Sequence, residues 1–245
     1  MDIAELATQP ALGVLVPPAN PTVEPEMNRL ISSGARVYAT RLPVMPDTTL
    51  EQRNRAYIAS YEPALESFGT LKLNAATVAL TGPSYRLGAA EDDALAARLS
   101  TVAGFPVETA SGAIRHALKA IGAGRICLFS PYPAWLTEEA AGYWTGAGFT
   151  VAQVVKVSET FRAYELTVAE VEEALRQVET AGIDAIVMSG TGMITLPAML
   201  ARAEGSTPPL LSSNLCCAWW MMRQAGVAPG ATLTRACTQL AATLR

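Results

Sequence analysis

Three segments of this chain recur, in the same order, in its second half, and that recurrence limits the fold more than any other feature. Leu12–Pro18 and Arg125–Pro131 are apolar runs that end in proline, 113 positions apart. Val78-Ala79-Leu80-Thr81-Gly82 and Ile186-Val187-Met188-Ser189-Gly190 are apolar runs that end in a hydroxyl residue and glycine, 108 positions apart. Pro106–Gly122 and Pro209–Gly226 each read as a strand, a serine-containing turn, a helix and a glycine, 103–104 positions apart. Offsets that drift while order holds are what a duplication leaves once its loops have changed length.

Within each half, short apolar runs alternate with stretches of helical period. The runs at 12–16, 75–80, 126–129 and 185–188 stop at Pro, Gly or Ser and read as buried strands with a turn at the C-terminal end. Helical patterns cover roughly 21–32, 49–69, 89–103, 112–120, 137–147, 167–181, 196–204 and 216–224. This alternation predicts an α/β fold of two pseudo-symmetric halves, each a parallel sheet flanked by helices. Residues 1–110 form the first half, with its last segments crossing over, and 111–245 the second. Ligands of parallel sheets sit outside the carboxyl ends of the strands, so the expected site is the cleft between the halves.

Composition removes several classes of function. Half of the 245 residues are hydrophobic and 16% are charged, which suits a compact core. The net charge is −4 and the basic residues are scattered, so neither a nucleic acid nor a membrane surface is an expected partner. No apolar stretch approaches the roughly 18–20 residues of a membrane span. Met1–Pro10 lacks the basic and apolar regions of a secretory leader. The four cysteines, Cys127, Cys216, Cys217 and Cys237, lack CxxC spacing and there is one histidine, His116. Neither a metal site nor a disulfide framework is therefore expected, and reduced thiols in a cytoplasmic setting follow. A dinucleotide fold would carry its glycine fingerprint after the first strand, where this chain has Pro17-Pro18, so no cofactor is expected.

The strand-end turns hold the candidate chemistry. Asn20 precedes a helix whose first turn starts at Pro21; it either caps that helix or offers its amide to an anion, and the two roles are compatible. In Thr81-Gly82-Pro83-Ser84-Tyr85, the glycine permits close approach of a ligand while Ser84 and Tyr85 carry donors; a plain turn with Tyr85 packed below it is the alternative. Tyr132 stands between Pro131 and Pro133, placed to bind a carboxylate, to move a proton, or simply to pack on the core. Ser189-Gly190-Thr191-Gly192 is a hydroxyl-rich loop without P-loop spacing. Ser212-Ser213-Asn214 opens a helix bearing Cys216 and Cys217. A helix start would lower a thiol pKa, but the Cys-Cys-Ala-Trp-Trp-Met-Met sequence favours inert packing. His116 is expected to be structural, which leaves no triad.

At these turns the chain resembles the aspartate/glutamate racemase superfamily, and within it the maleate cis–trans isomerases and arylmalonate decarboxylases. The similarity runs through VPPANPTVEPEMNRL (Val16–Leu30), TGPSYRLG (Thr81–Gly88) and LFSPYPAWL (Leu128–Leu136). It implies a small carboxylic acid as substrate, a homo-oligomer, and substrate contacts from Asn20 and Tyr132. The segment like the decarboxylases' would hold a carboxylate or enediolate with Gly82, Pro83, Ser84 and Tyr85. The racemases and isomerases use two cysteines and the decarboxylases keep the second. Both corresponding positions here are glycine, Gly82 and Gly190, so a two-thiol mechanism is not expected.

The function these features point to is a cofactor-independent lyase or isomerase that transfers protons without a cysteine pair. Tyr132, Tyr85 and Ser84 are the candidates for catalysis. Asn20, Pro18, Thr81, Gly82, Pro83, Ser189, Gly190, Thr191 and Gly192 are the candidates for substrate binding. Three alternatives stay open: a catalytically silent carboxylate binder, thiol catalysis relocated to Cys216 or Cys217, and a hydrolase on the same scaffold.

Overall fold

The computed structural model describes residues 8–31, 34–202 and 204–244. The expectation about a secretory leader rests on Met1–Pro10, of which residues 1–7 lie outside the described residues.

Among the described residues, eight parallel strands form two sheets of the same topology. In the first, β1 (Ala11–Val16), β2 (Arg36–Arg41), β3 (Ala75–Val78) and β4 (Val107–Thr109) lie in the order β2-β1-β3-β4. In the second, β5 (Arg125–Ser130), β6 (Thr150–Lys156), β7 (Ala185–Met188) and β8 (Leu210–Ser212) lie in the order β6-β5-β7-β8. Adding four to each strand number of the first sheet gives the second, and in both sheets the central pair is parallel: β1 with β3, β5 with β7. The α/β architecture of two halves read from the repeat is thus the architecture of the molecule.

The central strands are buried along their length because helices cover both faces, and so they read as unbroken apolar runs. β2 and β6, at the sheet edges, are half-exposed and mix polar with apolar residues, so neither reads as an unbroken apolar run.

The helices follow the strands: α1 (Val23–Ile31), α2 (Leu50–Ile58), α3 (Tyr61–Glu66), α4 (Gly82–Leu87), α5 (Ala89–Ala103), α6 (Ala110–Ala120), α7 (Ala134–Gly146), α8 (Val168–Leu175), α9 (Leu196–Ala201), α10 (Ser213–Gln224), α11 (Ala231–Ala236) and α12 (Thr238–Ala242). Three readings change. The pattern over 49–69 is two helices, parted at Ala59-Ser60. The turn at Gly82-Pro83 is already helical, with proline in the first turn of α4, where its missing N–H costs nothing. The segment Ser213-Asn214 belongs to α10, and Ser212 is the cap, its hydroxyl accepting from the Leu215 N–H.

α10 packs on α1 and α6 at the centre of the molecule, with every residue from Ser213 to Met222 buried. α6 and α10 are the repeat-related helices after β4 and β8, and each is capped by a hydroxyl, Thr109 and Ser212. The Trp219-Trp220 helix therefore faces the chain's own core and is not a free surface for a second copy. No helix among the described residues is long and apolar enough to cross a membrane.

Candidate functional site

A cavity of about 420 Å³ opens where the carboxyl ends of the two sheets face each other. The first half contributes Pro17-Pro18-Ala19 after β1, Leu80-Thr81-Gly82 after β3, and Val44, Met45 and α2. The second contributes Tyr132 after β5, the Phe161–Tyr164 segment after β6, and Gly190-Thr191-Gly192 after β7.

Polar side chains stitch the turns together across the halves. Tyr132 Oη and Thr81 Oγ1 lie 2.6 Å apart, and Tyr85 Oη and Ser189 Oγ also lie 2.6 Å apart. Each pair joins a strand-end hydroxyl of one half to a tyrosine of the other. Thr191 is the second junction. Its hydroxyl donates to the Ala79 carbonyl (2.7 Å) and accepts from Asn20 Nδ2 (3.1 Å), while its carbonyl accepts from Thr22 Oγ1 (2.6 Å) and Asn214 Nδ2 (3.0 Å). Behind it, buried Glu26 accepts from the N–H groups of Thr195 (2.9 Å) and Leu196 (2.8 Å) and from Asn214 Nδ2 (2.7 Å). Burial raises the Glu26 carboxyl above its ordinary pKa, and these hydrogen bonds pull it back in part. The Pro17–Asn20 turn is held from β2, where Arg41 donates to the carbonyls of Pro17, Pro18 and Asn20 and pairs with Glu24.

The candidate residues divide into a wall and a layer behind it. Pro18, Thr81, Gly82, Tyr132, Gly190, Thr191 and Gly192 are on the wall. Asn20, Pro83, Ser84, Tyr85 and Ser189 are buried behind it. Asn20 spends its side chain on structure: Oδ1 accepts from Thr22 N and Val23 N, and Nδ2 donates to Thr191. Burial pushes the Tyr85 phenol up to about 12 and Tyr132 higher still, so both are hydrogen-bond donors at neutral pH.

No thiol reaches the cavity. Cys216 and Cys217 are fully buried in α10, and burial raises both thiols, Cys217 to about 12. This corrects the reading that moved thiol catalysis to them: the helix start favours a thiolate less than its apolar surroundings oppose it. The two glycines are also filled in by their neighbours. A Cβ on Gly82 would lie 2.7 Å from Asn54 Nδ2. One on Gly190, which has φ +86°, would lie 2.9 Å from Pro131 Cγ and 3.2 Å from Tyr132 Oη.

Sequence reasoning missed the wall supplied by α2. Its capping box, with Thr49 Oγ1 accepting from Gln52 N and Gln52 Oε1 from Thr49 N, is legible in the sequence as a helix start. Nothing local says that Arg53, Asn54 and Tyr57 of that helix face the cavity. The wall contains no Asp or Glu, and its cation, Arg53, makes no ion pair among the described residues.

The sequence profile of the family described as arylmalonate decarboxylase matches residues 12–236. A maleate isomerase of Nocardia farcinica is 28% identical over 225 residues, which is 86% of this chain and 88% of that protein. An arylmalonate decarboxylase of Bordetella bronchiseptica is 28% identical over 235 residues, 90% of this chain and 92% of that protein. Among solved structures, a cysteine-to-alanine variant of the maleate isomerase Iso from Pseudomonas putida S16, with maleate, superposes with a TM-score of 0.83. It is 20% identical, over 96% of this chain and 98% of that one.

Proposed function

Because the chain belongs to the arylmalonate decarboxylase family, we propose that it is a cofactor-independent lyase or isomerase of small carboxylic acids, working in the cavity between its halves without a thiol. The observation that carries this is the wall itself: strand-end turns of both halves and, among the described residues, a cation without an ion pair and no carboxylate, around a cavity of about 420 Å³. That size and polarity suit a small organic anion.

The missing thiols favour decarboxylation over addition of a nucleophile to an alkene. In a decarboxylation the C–CO₂ bond breaks and its electron pair stays on carbon, giving an enediolate with the remaining carboxylate. The donors beside the turns, the Thr81 hydroxyl and the backbone N–H groups of Gly82 and Gly192, are assigned to hold that charge. The Tyr132 phenol, kept protonated by burial, gives its proton to the carbon and is reprotonated from water. Tyr85, Ser84, Ser189 and Asn20 support this wall from behind, and Pro18, Pro83 and Gly190 shape it. We assign the protein to the cytoplasm and to a homo-oligomer.

Proton NMR in deuterated water, with phenylmalonate, malonate and maleate, tests the reading. The expected result is CO₂ loss with one deuterium on the product carbon. Binding without turnover would move the protein to the carboxylate-binder reading, and neither binding nor turnover would remove both.

A further inference from the structure

Asn54 is 3% exposed, lines the cavity, and its Nδ2 has no hydrogen-bond partner among the described residues. A buried amide N–H without a partner is costly, and native structures leave few of them, so one at a cavity wall points to something that fills the cavity. The amide stays where it is because Gly82, opposite, has no side chain: a Cβ there would come within 2.7 Å of Nδ2. One residue earlier on α2, Arg53 is half-buried at the same wall, without an ion-pair partner among the described residues. The helix that carries both is fixed independently of any ligand. Its capping box closes its first turn, and Arg86 of α4 reaches Glu51 at 3.2 Å and Glu139 of α7 at 2.8 Å.

We propose that Arg53 and Asn54 of α2 form a carboxylate-recognition element that selects the substrate, with Val44, Met45, Leu50 and Phe161 beside it receiving an apolar substituent. This rests on the reading that the cavity takes a carboxylic acid, and it adds which wall reads the anion. Asn54 donates to a carboxylate oxygen inside the cavity, and Arg53 supplies the charge at its edge. The turns facing them, at Thr81-Gly82 and Thr191-Gly192, are then left free for the reacting end of the molecule. An acid that carries its carboxylate on a bulky apolar frame satisfies both walls, whereas a neutral isostere leaves Arg53 without its counter-ion.

The test is calorimetric titration of the whole protein with phenylmalonate, malonate and maleate, repeated with phenylmalonamide as the neutral isostere. For whichever anion binds the wild type most tightly, Asn54→Asp and Asn54→Leu should weaken binding about 10–100-fold, the loss of a charge-assisted hydrogen bond. Arg53→Gln should weaken it about 10-fold while Arg53→Lys stays near wild type, and the diamide should bind poorly throughout. Arg53 is at the edge, so Arg53→Gln reads the proposal even where an Asn54 variant fails to fold. Equal affinity for Arg53→Gln, or for a folded Asn54→Asp, overturns the inference and leaves the proposed activity standing if turnover persists. No binding of any of the three anions to the wild type, with no turnover, overturns both.

Discussion

The hydroxyl of Thr81 and the phenol of Tyr132 lie 2.6 Å apart, one from each half of the chain. Ser189, the repeat equivalent of Thr81, makes the matching bond to Tyr85 of the first half. The duplication thus closes on itself through two hydroxyl–phenol pairs, and the cavity lies against the first of them. Tyr132 is both a clasp between the halves and the nearest phenol to the Gly190 wall, with Oη 3.2 Å from where a Cβ there would sit.

Tyr132→Phe separates those two roles. Losing one neutral hydrogen bond should cost about 0.5–1.5 kcal/mol, which in a chain of this size lowers Tm by about 2–4 °C per kcal/mol. Turnover should fall much further, about 10²–10⁴-fold, because the proton donor is gone. Thr81→Val breaks the same bond and keeps the phenol, so it should match the stability loss with a smaller loss of turnover. Calorimetry and the deuterium-exchange assay check both. Equal turnover in wild type and Tyr132→Phe would take the phenol out of the chemistry.

Cys216 and Cys217 should resist alkylation in the folded protein. Both are without exposed surface and both thiols are raised by burial, so little thiolate is present to react at neutral pH. Iodoacetamide labelling read by mass spectrometry should modify them only as fast as the chain opens, and urea should accelerate it in step with unfolding. Rapid labelling in buffer would return thiol catalysis to consideration.

What the sequence disclosed follows the range of the interactions. The repeat, the central strands and most helices are written in apolar runs and periods, and those elements are where the reading placed them. The edge strands β2 and β6 leave no such signal, because half-exposed strands mix polar residues into the run. The turns that line the cavity were found because glycine, proline and hydroxyls mark strand ends. Their division into wall and backing was not legible: Asn20 and Thr191 are 171 residues apart in sequence, and only the packed halves show that the Asn20 amide is consumed there. Arg53 and Asn54 gave no signal for the same reason, since an ordinary capped helix becomes a cavity wall only through long-range packing.

Glu26 should give the stability a recognisable pH dependence. Burial raises its carboxyl, so between the ordinary value of about 4.3 and the raised native value the folded chain binds the proton that the unfolded chain releases. Glu26's stabilising contribution is therefore complete below the ordinary value and is lost as pH rises through the native one. Glu26→Gln cannot titrate. Urea unfolding from pH 4.5 to 8 should show the wild type losing stability relative to Glu26→Gln as pH increases. A flat or opposite difference would show the carboxylate to be fully compensated by Thr195, Leu196 and Asn214. Glu26→Leu should be worse at every pH, at about 1–3 kcal/mol for each donor it strands.

The two glycines at the cavity should respond differently to an added methyl group. At Gly82 the obstacle is the Asn54 side chain, 2.7 Å from the new Cβ at its nearest atom. Gly82→Ala should therefore cost about 1–3 kcal/mol by overpacking, and Asn54→Ala should remove most of that cost when the two are combined. At Gly190 the obstacle is the chain itself. Its φ of +86° is unfavourable for any side chain by about 1–2 kcal/mol, and Pro131 Cγ lies 2.9 Å from the Cβ position. Gly190→Ala should destabilise as strongly with Asn54→Ala as without it. A double-mutant cycle by urea unfolding, with Gly82 and Gly190 each paired with Asn54, measures both couplings. Equal coupling at the two positions would mean that Asn54 does not occupy the space beside Gly82, and the carboxylate-recognition element would lose its geometric support.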